Sequence, residues 1–486
     1  MKNKPILISC ILLLIILVSS CKSEPVVVHT PVFQEITGTP KIIPSTTPPG
    51  SLISTTPPVQ ERYTLTVTEG VPLFYQNEFD ALSLSSSQPI SLLVCGESPT
   101  ERIWQGEYVF SAAVQFPTVS DEISFEALKQ LWNGQIDEDG NFKELIIPKE
   151  HKEIFTYLWG DFNPSQVKLV SEEKVSEVLW EQKDRVALIP FESIEPRLKV
   201  LSVGGQNPMR NSFEIHEYSL SFQVCLAGDI DSEMMEGVLM VPTSNRDPSK
   251  ITAILMTGVT ALTRETAYKM EMNGVLYPAE EIKDWFDQAD IVHISNEVPF
   301  TEECLVREPP LSGSRFCSRP EYFELLEYIG ANVIEITGNH LLDYGDDAFQ
   351  EMVVMFKAKD IEYFGGGANA TDASRSLSLT HHGNEFEFFG CNVPGPDSVF
   401  ATKDQGGANP CDLDELVFQV QNTIADEKIP IVTFQHYEAC LVEPMSAQKA
   451  DMVQVAEAGA VIVSGSQAHC PQSMTFVEDS FVHYGL

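Results

Sequence analysis

The sequence predicts an α/β fold in both of two successive domains, and three observations carry that expectation. From about residue 250 onward, short apolar runs rich in β-branched residues alternate with longer stretches of helical periodicity, the pattern of layered α/β architecture. Several of these runs stop abruptly at polar residues, as Val333-Ile334-Glu335-Ile336 does at Thr337-Gly338-Asn339-His340, and open α/β sheets place their ligands at such strand ends. Finally, the roughly 425 residues beyond the N-terminal segments exceed a single hydrophobic core, so two domains are expected.

Taken in order, the second domain begins with a strand over Ile251 to Met256. A helix follows from Ala279 to Gln288 after Pro278, then a strand from Asp290 to Ser295. The next helix, Pro320 to Ile329, is ended by Gly330, and the strand Val333 to Ile336 precedes a helix over Ala348 to Lys357. Leu377 to Leu379 and Phe386 to Phe389 pair across a His382-Gly383-Asn384 turn. A helix over Leu413 to Ala425, a strand over Ile429 to Phe434, a helix over Ala447 to Ala458 and a strand over Ala460 to Ser464 complete the alternation. Phe476 and Phe481 flank a closing hairpin at Asp479-Ser480.

The first domain, 61–249, mixes strands and helices less regularly. Tyr63 to Val67 alternates as a strand does, Ser124 is placed to cap a helix through Trp132, Glu172 to Lys183 reads as a helix, and Val186 to Pro190 is a buried strand. Ser85-Ser86-Ser87 reads as a solvated loop.

The N-terminus reads as a targeting segment. Lys2 and Lys4 precede an apolar stretch from Ile6 to Val18 that is too short to span a bilayer as a helix. It ends at Val18-Ser19-Ser20-Cys21, which resembles a bacterial lipobox, so residues 1–21 are expected to be a lipoprotein signal with Cys21 lipidated. Multiple acyl chains would anchor the protein at the extracytoplasmic face of the cell membrane. Residues 22–60, with Thr39-Pro40, Thr47-Pro48-Pro49 and Thr56-Pro57-Pro58, read as an extended spacer.

With 31 Lys+Arg against 70 Asp+Glu the formal net charge is -39, which disfavours nucleic acid and anionic lipid as partners. Of 10 cysteines, eight remain after Cys10 and Cys21 are set aside, an even number in an oxidising compartment. Cys304 with Cys317 and Cys391 with Cys411 flank loops and are expected to form disulfides, while Cys95, Cys225, Cys440 and Cys470 are left unassigned.

Glu297, Asn339, His340, His436 and His469 all fall just past strands. One carboxylate, one amide and three imidazoles make a mixed N/O donor set suited to Mn, Zn or Fe, and a two-metal site of this kind activates water for attack on phosphorus. Other candidates read differently. Asp343 is expected to organise a loop or cap a helix, His293 to be structural, His381 and His382 to be solvated at a turn, and Gly365 to Gly367 to form a plain turn. Glu438 is equally a neighbour that tunes an imidazole and an exposed side chain.

Five segments carry a family resemblance: Ser295-Asn296-Glu297-Val298-Pro299, Ile336-Thr337-Gly338-Asn339-His340 with Asp343-Tyr344-Gly345, Gly365-Gly366-Gly367, Gln435-His436-Tyr437-Glu438, and Gly465-Ser466-Gln467-Ala468-His469. In order and spacing, residues 250–486 resemble the CapA-like poly-γ-glutamate capsule synthesis proteins, a branch of the calcineurin-like metallophosphoesterase superfamily. The resemblance implies a layered metallophosphoesterase-like α/β domain. It also implies a divalent metal held by Glu297, Asn339, His340, His436 and His469, with His340 and Asn339 near the reacting group. The implied partner is an anionic cell-surface polymer or its synthesis machinery.

Two departures matter. The family's first strand ends in Gly-Asp, where this chain has Gly258-Val259, although Gly228-Asp229 lies one strand earlier. Its closing Gly-x-His-x-His pattern has Gln467 at the first histidine. Tyr484-Gly485-Leu486 resembles the start of a longer family ending, so the sequence is expected to be a fragment. Residues 123–134 and 186–201 resemble the phosphate-type periplasmic binding proteins, which implies a smaller binding-protein-like domain before the capsule-type one. The Ser/Thr-rich loop that grips an oxyanion in that family has no counterpart here.

Overall fold

A computed structural model describes residues 63–486 apart from 87, 97–101, 137–139 and 306–312. Cys21 and the Thr/Pro-rich segment lie outside the described residues. No helix among those described is long and apolar enough to cross a membrane.

The first domain is built on a nine-stranded mixed sheet. Its spine is the strand Arg102–Gln115, which pairs antiparallel with Ser221–Ala227, Arg185–Pro190 and Leu198–Val203. Both faces of this strand are covered from Tyr108 to Val114, so those residues are buried without alternation. An aromatic cluster of Tyr75, Phe79, Trp104, Tyr108, Phe110, Trp132 and Phe155 fills the core beneath it. The helix Phe125–Trp132 starts where expected because Ser124 accepts a hydrogen bond from the Ala127 amide at 3.0 Å. The expected helix from Glu172 is a 3-10 turn over Glu172–Lys174 followed by the helix Val175–Glu181. Ser85–Ser86 is a short strand pairing with Tyr63–Thr64 rather than a solvated loop.

The second domain holds two large sheets beside the short pair Gly366–Gly367 with Gly407–Ala408. The first is four parallel strands in the order β1 (Ile254–Thr260), β2 (Ile291–Asn296), β3 (Val333–Glu335) and β4 (Glu362–Phe364). The second runs β5 (Leu377–His381), β6 (Asn384–Asn392), β7 (Ile429–Gln435), β8 (Ile462–Ser466), β10 (Ser480–His483) and β9 (Met474–Val477). Within it, β6, β7, β8 and β10 are parallel, and antiparallel hairpins close both edges.

Apolar residues sort these sheets into layers. Ile291, Val333, Phe364, Phe386, Phe388 and Ile431 form a core between the two sheets. Val292, Ile294, Ile334 and Ile336 face outward onto the helices α1 (Arg264–Asn273), α2 (Phe323–Tyr328) and α3 (Gly345–Ala358). Val432, Phe434 and Val463 face the other way onto α4 (Leu413–Ala425) and α5 (Ser446–Glu457). Helix, sheet, sheet, helix is therefore the order of layers, as buried parallel strands require.

Among the described residues, three disulfides join Cys95 to Cys225, Cys304 to Cys317 and Cys391 to Cys411. Residues 60–486 form one compact unit, within which the two regions expected from the sequence, 61–249 and 250–486, touch at Phe116, whose ring contacts Phe476 and Phe481 at 5.2 and 5.1 Å, and at Asn211, which donates to Asp290 at 2.8 Å.

Candidate functional site

The strand ends of both sheets in the second domain open on a cavity of about 770 Å³. Val259, Arg264, Glu297, Phe316, His340, Glu438, Gln467 and His469 are among the residues that line it. The first sheet supplies Val259, Glu297 and His340, and the second supplies Glu438, Gln467 and His469. The opening strand of the first sheet is β1, and Val259 stands near its end at the cavity wall. Gly228-Asp229 follows the strand Ser221–Ala227 in the nine-stranded sheet, away from this cavity.

Glu297 follows β2 directly and is only 6% exposed. Its Oε1 has no hydrogen-bond partner among the described residues. Burial pushes its carboxyl above the usual carboxylate range, against the opposing pull of His340, His469 and a hydrogen bond from Gln467.

His340 is set by its own loop. Its Nδ1 lies 2.8 Å from Asp343 Oδ2, and the same oxygen accepts the Phe316 amide at 2.7 Å. Burial disfavours the imidazolium, but Asp343, with help from Glu297 and Glu438, outweighs it and raises the His340 pKa above its ordinary value. The Phe316 ring meets His340 edge-on at 4.5 Å, and the Arg264 guanidinium lies over the Phe316 ring at 5.1 Å. The Cys304–Cys317 bond anchors the loop carrying Phe316. Asp343 thus organises a loop, one of the two roles its position suggested, and the helix starting at Gly345 has no side-chain cap.

Asn339 and His436 are turned to other partners. Asn339 Oδ1 accepts from Gln435 Nε2 at 2.8 Å and Gln467 Nε2 at 3.4 Å, while Gln435 also donates to Gln467 Oε1 at 3.0 Å. The three amides form a closed network across the two sheets. His436 is fully buried, with Nε2 3.0 Å from Asp451 on α5 and Nδ1 unpartnered among the described residues. Burial lowers its pKa despite Asp451.

Of the five expected ligands, Glu297, His340 and His469 line the cavity, whereas Asn339 and His436 do not. Among the described residues no group of three His, Cys, Asp or Glu side chains stands close enough to hold a metal ion. The donor chemistry suits a divalent cation, but as placed these residues do not fit one.

The remaining candidates sort clearly. His293 is buried between the sheets, 3.3 Å from Glu335. His382 is exposed at its turn and His381 is half-buried against Thr252. Gly366–Gly367 is not a turn: it pairs with Gly407–Ala408, and a Cβ at Gly366 would stand 2.3 Å from the Ile336 carbonyl. Gln435, Phe316 and Arg264 were given no site role from the sequence, Gln435 standing only within the Gln435-His436-Tyr437-Glu438 segment. Gln435 carried a signal, since it ends an apolar strand just before His436; the other two carried none.

Residues 253–486 match the family described as bacterial capsule synthesis protein PGA_cap. A Bacillus anthracis relative, "Capsule biosynthesis protein CapA", is 22% identical over 252 residues, covering 51% of this chain and 61% of that protein. The chain thus spans about three-fifths of that relative's length. Solved structures with partial similarity include a Mycoplasma pneumoniae phosphatase, 14% identical, TM-score 0.30, covering 48% of this chain and 71% of that one. Another is a Vibrio cholerae ABC-type phosphate transport receptor, 13% identical, TM-score 0.25, covering 31% of this chain and 72% of that one. Residues 253–486 thus match the bacterial capsule synthesis protein family and are similar to CapA.

Proposed function

We propose that this protein acts in the synthesis, export or anchoring of an anionic capsule polymer, poly-γ-glutamate or a related chain. In this reading a lipidated Cys21 tethers it to the outer face of the cell membrane, residues 22–60 act as spacer, and residues 61–249 form a binding-protein-like domain. The cavity of the second domain engages the polymer or its synthesis machinery without cleaving it. The observation that carries the reading is the closed Asn339–Gln435–Gln467 amide network, set beside Val259, where a metal cluster would need charged donors.

The chain's own residues suit a polar ligand. His340, kept cationic longer by Asp343, and Arg264 offer positive charge to a carboxylate at the cavity wall. Glu297 Oε1 remains free to accept from an amide N–H. Because the whole protein carries a charge of -39, long-range repulsion opposes a polyanion, so binding should strengthen when salt screens it.

The test is calorimetric titration of the soluble protein from residue 22 onward with poly-γ-glutamate oligomers. A His340→Ala variant should lose about tenfold or more in affinity, the worth of one charge-assisted hydrogen bond. Equal affinity of wild type and variant for the polymer would reject this role for the cavity.

A second reading, a metal-dependent phosphoesterase using Mn, Zn or Fe, is favoured by the unpartnered Glu297 Oε1. It requires the exposed His469 to swing toward Glu297 and His340. Elemental analysis decides it: near-stoichiometric metal that is lost in His340→Ala supports this reading, and no metal in either protein rejects it.

A further inference from the structure

Two cysteines stand outside the three disulfides among the described residues, and they stand together. Cys440 is exposed and Cys470 half-buried. Cys470 Sγ lies 4.0 Å from the carbonyl oxygen of Ala439, the residue just before Cys440. Their loops are already joined along their length. Gln472 Nε2 donates to the carbonyls of Ala439 at 3.2 Å and Leu441 at 3.0 Å, and the Ser473 amide donates to the Val442 carbonyl at 2.7 Å.

These two loops supply Glu438, Gln467 and His469 to the cavity wall. Glu438 lies two residues before Cys440, and Gln467 and His469 lie just before Cys470. Gln467 and His469 both hold left-handed backbone, φ +75° and +55°, conformations that a non-glycine residue keeps only where its surroundings enforce them.

We propose that Cys440 and Cys470 form a redox-labile pair whose closure into a fourth disulfide clamps the Glu438 loop to the Gln467–His469 loop. The reaction is thiol–disulfide exchange with a small-molecule or protein disulfide. One cysteine, as thiolate, attacks a sulfur of the oxidant and expels one thiol. The second thiolate then attacks the resulting mixed disulfide and expels the other. The protein dithiol loses two electrons and two protons, and the oxidant is reduced to two thiols. Exposure of Cys440 lets the oxidant in and also makes the product bond accessible to reductants, the property of labile rather than structural disulfides.

The test uses the full chain, equilibrated with glutathione at graded ratios of oxidised to reduced form. It is then quenched with N-ethylmaleimide and mapped by mass spectrometry without reduction. A cross-linked Cys440–Cys470 peptide pair is expected, opening at ratios where Cys95–Cys225, Cys304–Cys317 and Cys391–Cys411 stay closed. Labelling of both thiols by maleimide, or separate glutathionylation of each, at every such ratio overturns the pair. In Cys440→Ser, a surface change that should fold normally, Cys470 should take up only a mixed disulfide. Amide exchange in residues 437–445 should be about tenfold slower in the oxidised wild type than in Cys440→Ser. A cross-link that forms without slowing that exchange overturns the clamp.

Discussion

Gly338 gives the sharpest test of how the site is assembled. It sits between β3 and His340, where the first sheet's strand ends draw closest together. A Cβ added there would lie 2.5 Å from the Glu297 carbonyl oxygen, 2.6 Å from its Cα and 2.8 Å from its carbonyl carbon. All three are backbone atoms, so no side chain can swing aside. The closest contact falls about 0.5 Å inside any approach that real Cβ atoms make. Gly338→Ala must therefore push the segment bearing Asn339 and His340 away from the one bearing Glu297. Overpacking of this kind costs about 1–3 kcal/mol, and rigid backbone on the far side places this case near about 3 kcal/mol. The measurement is guanidinium denaturation of wild type, Gly338→Ala and the control Gly96→Ala, whose added Cβ meets nothing within 4 Å. The control should stay within about 0.5 kcal/mol of wild type. If Gly338→Ala also does, the close approach of the two strand ends is wrong, and so is the account of why this position is glycine.

Three further changes follow from other parts of the structure. Glu387, 7% exposed, accepts from Ser376, from Ser378 at 2.5 Å and from Lys428 at 3.2 Å. Burial raises its carboxyl, but these donors outweigh burial and hold it below its ordinary value. The stabilisation is thus present above the unfolded-state pKa and lost as pH falls through the folded one. Glu387→Gln should cost about 1.5–3 kcal/mol at pH 7, and denaturation curves of the two proteins should converge as the pH drops below that range. Cys95→Ser opens a bridge between residues 130 apart and should cost about 4–5 kcal/mol, read by denaturation under non-reducing conditions. Asp343→Asn removes the carboxylate that raises the His340 pKa, so an imidazole NMR titration should find His340 losing its proton at lower pH than in wild type.

Much of the second domain was legible because its strands are buried on both faces and read as continuous β-branched runs. The run over β7 was expected to end at Phe434 and ends at Gln435; the hairpin of β5 and β6 turns where His382-Gly383 said it should. Errors fell where tight turns replaced helix. The stretch Ala279 to Gln288 has apolar residues at helical spacing, yet Ile282 and Trp285 bond back three residues rather than four. Only Lys283–Phe286 is helix, because successive tight turns seat Ala279, Ile282 and Phe286 equally well. The opening strand was expected at Ile251 to Met256 and runs Ile254–Thr260, since its register against β2 begins only at Ile254.

The site was legible residue by residue but not as an arrangement. The Gly-Asn-His step marked the strand end, and Glu297 and His469 reached the same cavity. Whether Asn339 would face a ligand or a neighbouring amide depends on Gln435 and Gln467, respectively 96 and 128 residues away. No local pattern encodes that meeting. His436 likewise looked like a ligand because it follows a strand, and its pairing with Asp451 depends on how α5 packs over the second sheet.

The layer between the sheets sets more than stability. Glu297 and His340 ride on one sheet and Gln467 and His469 on the other, and the filling between them is Ile291, Val333, Phe364, Phe386, Phe388 and Ile431. Those side chains act as a spacer of fixed thickness, because interiors pack as densely as crystals and transmit displacement rather than absorb it. A methylene gained or lost there would alter the gap across which the two halves of the site face one another. The reach of the Gln435 amide to Asn339 and Gln467 would change with it. The width of this cleft, and with it the size of ligand it accepts, is therefore written in apolar residues that no ligand touches.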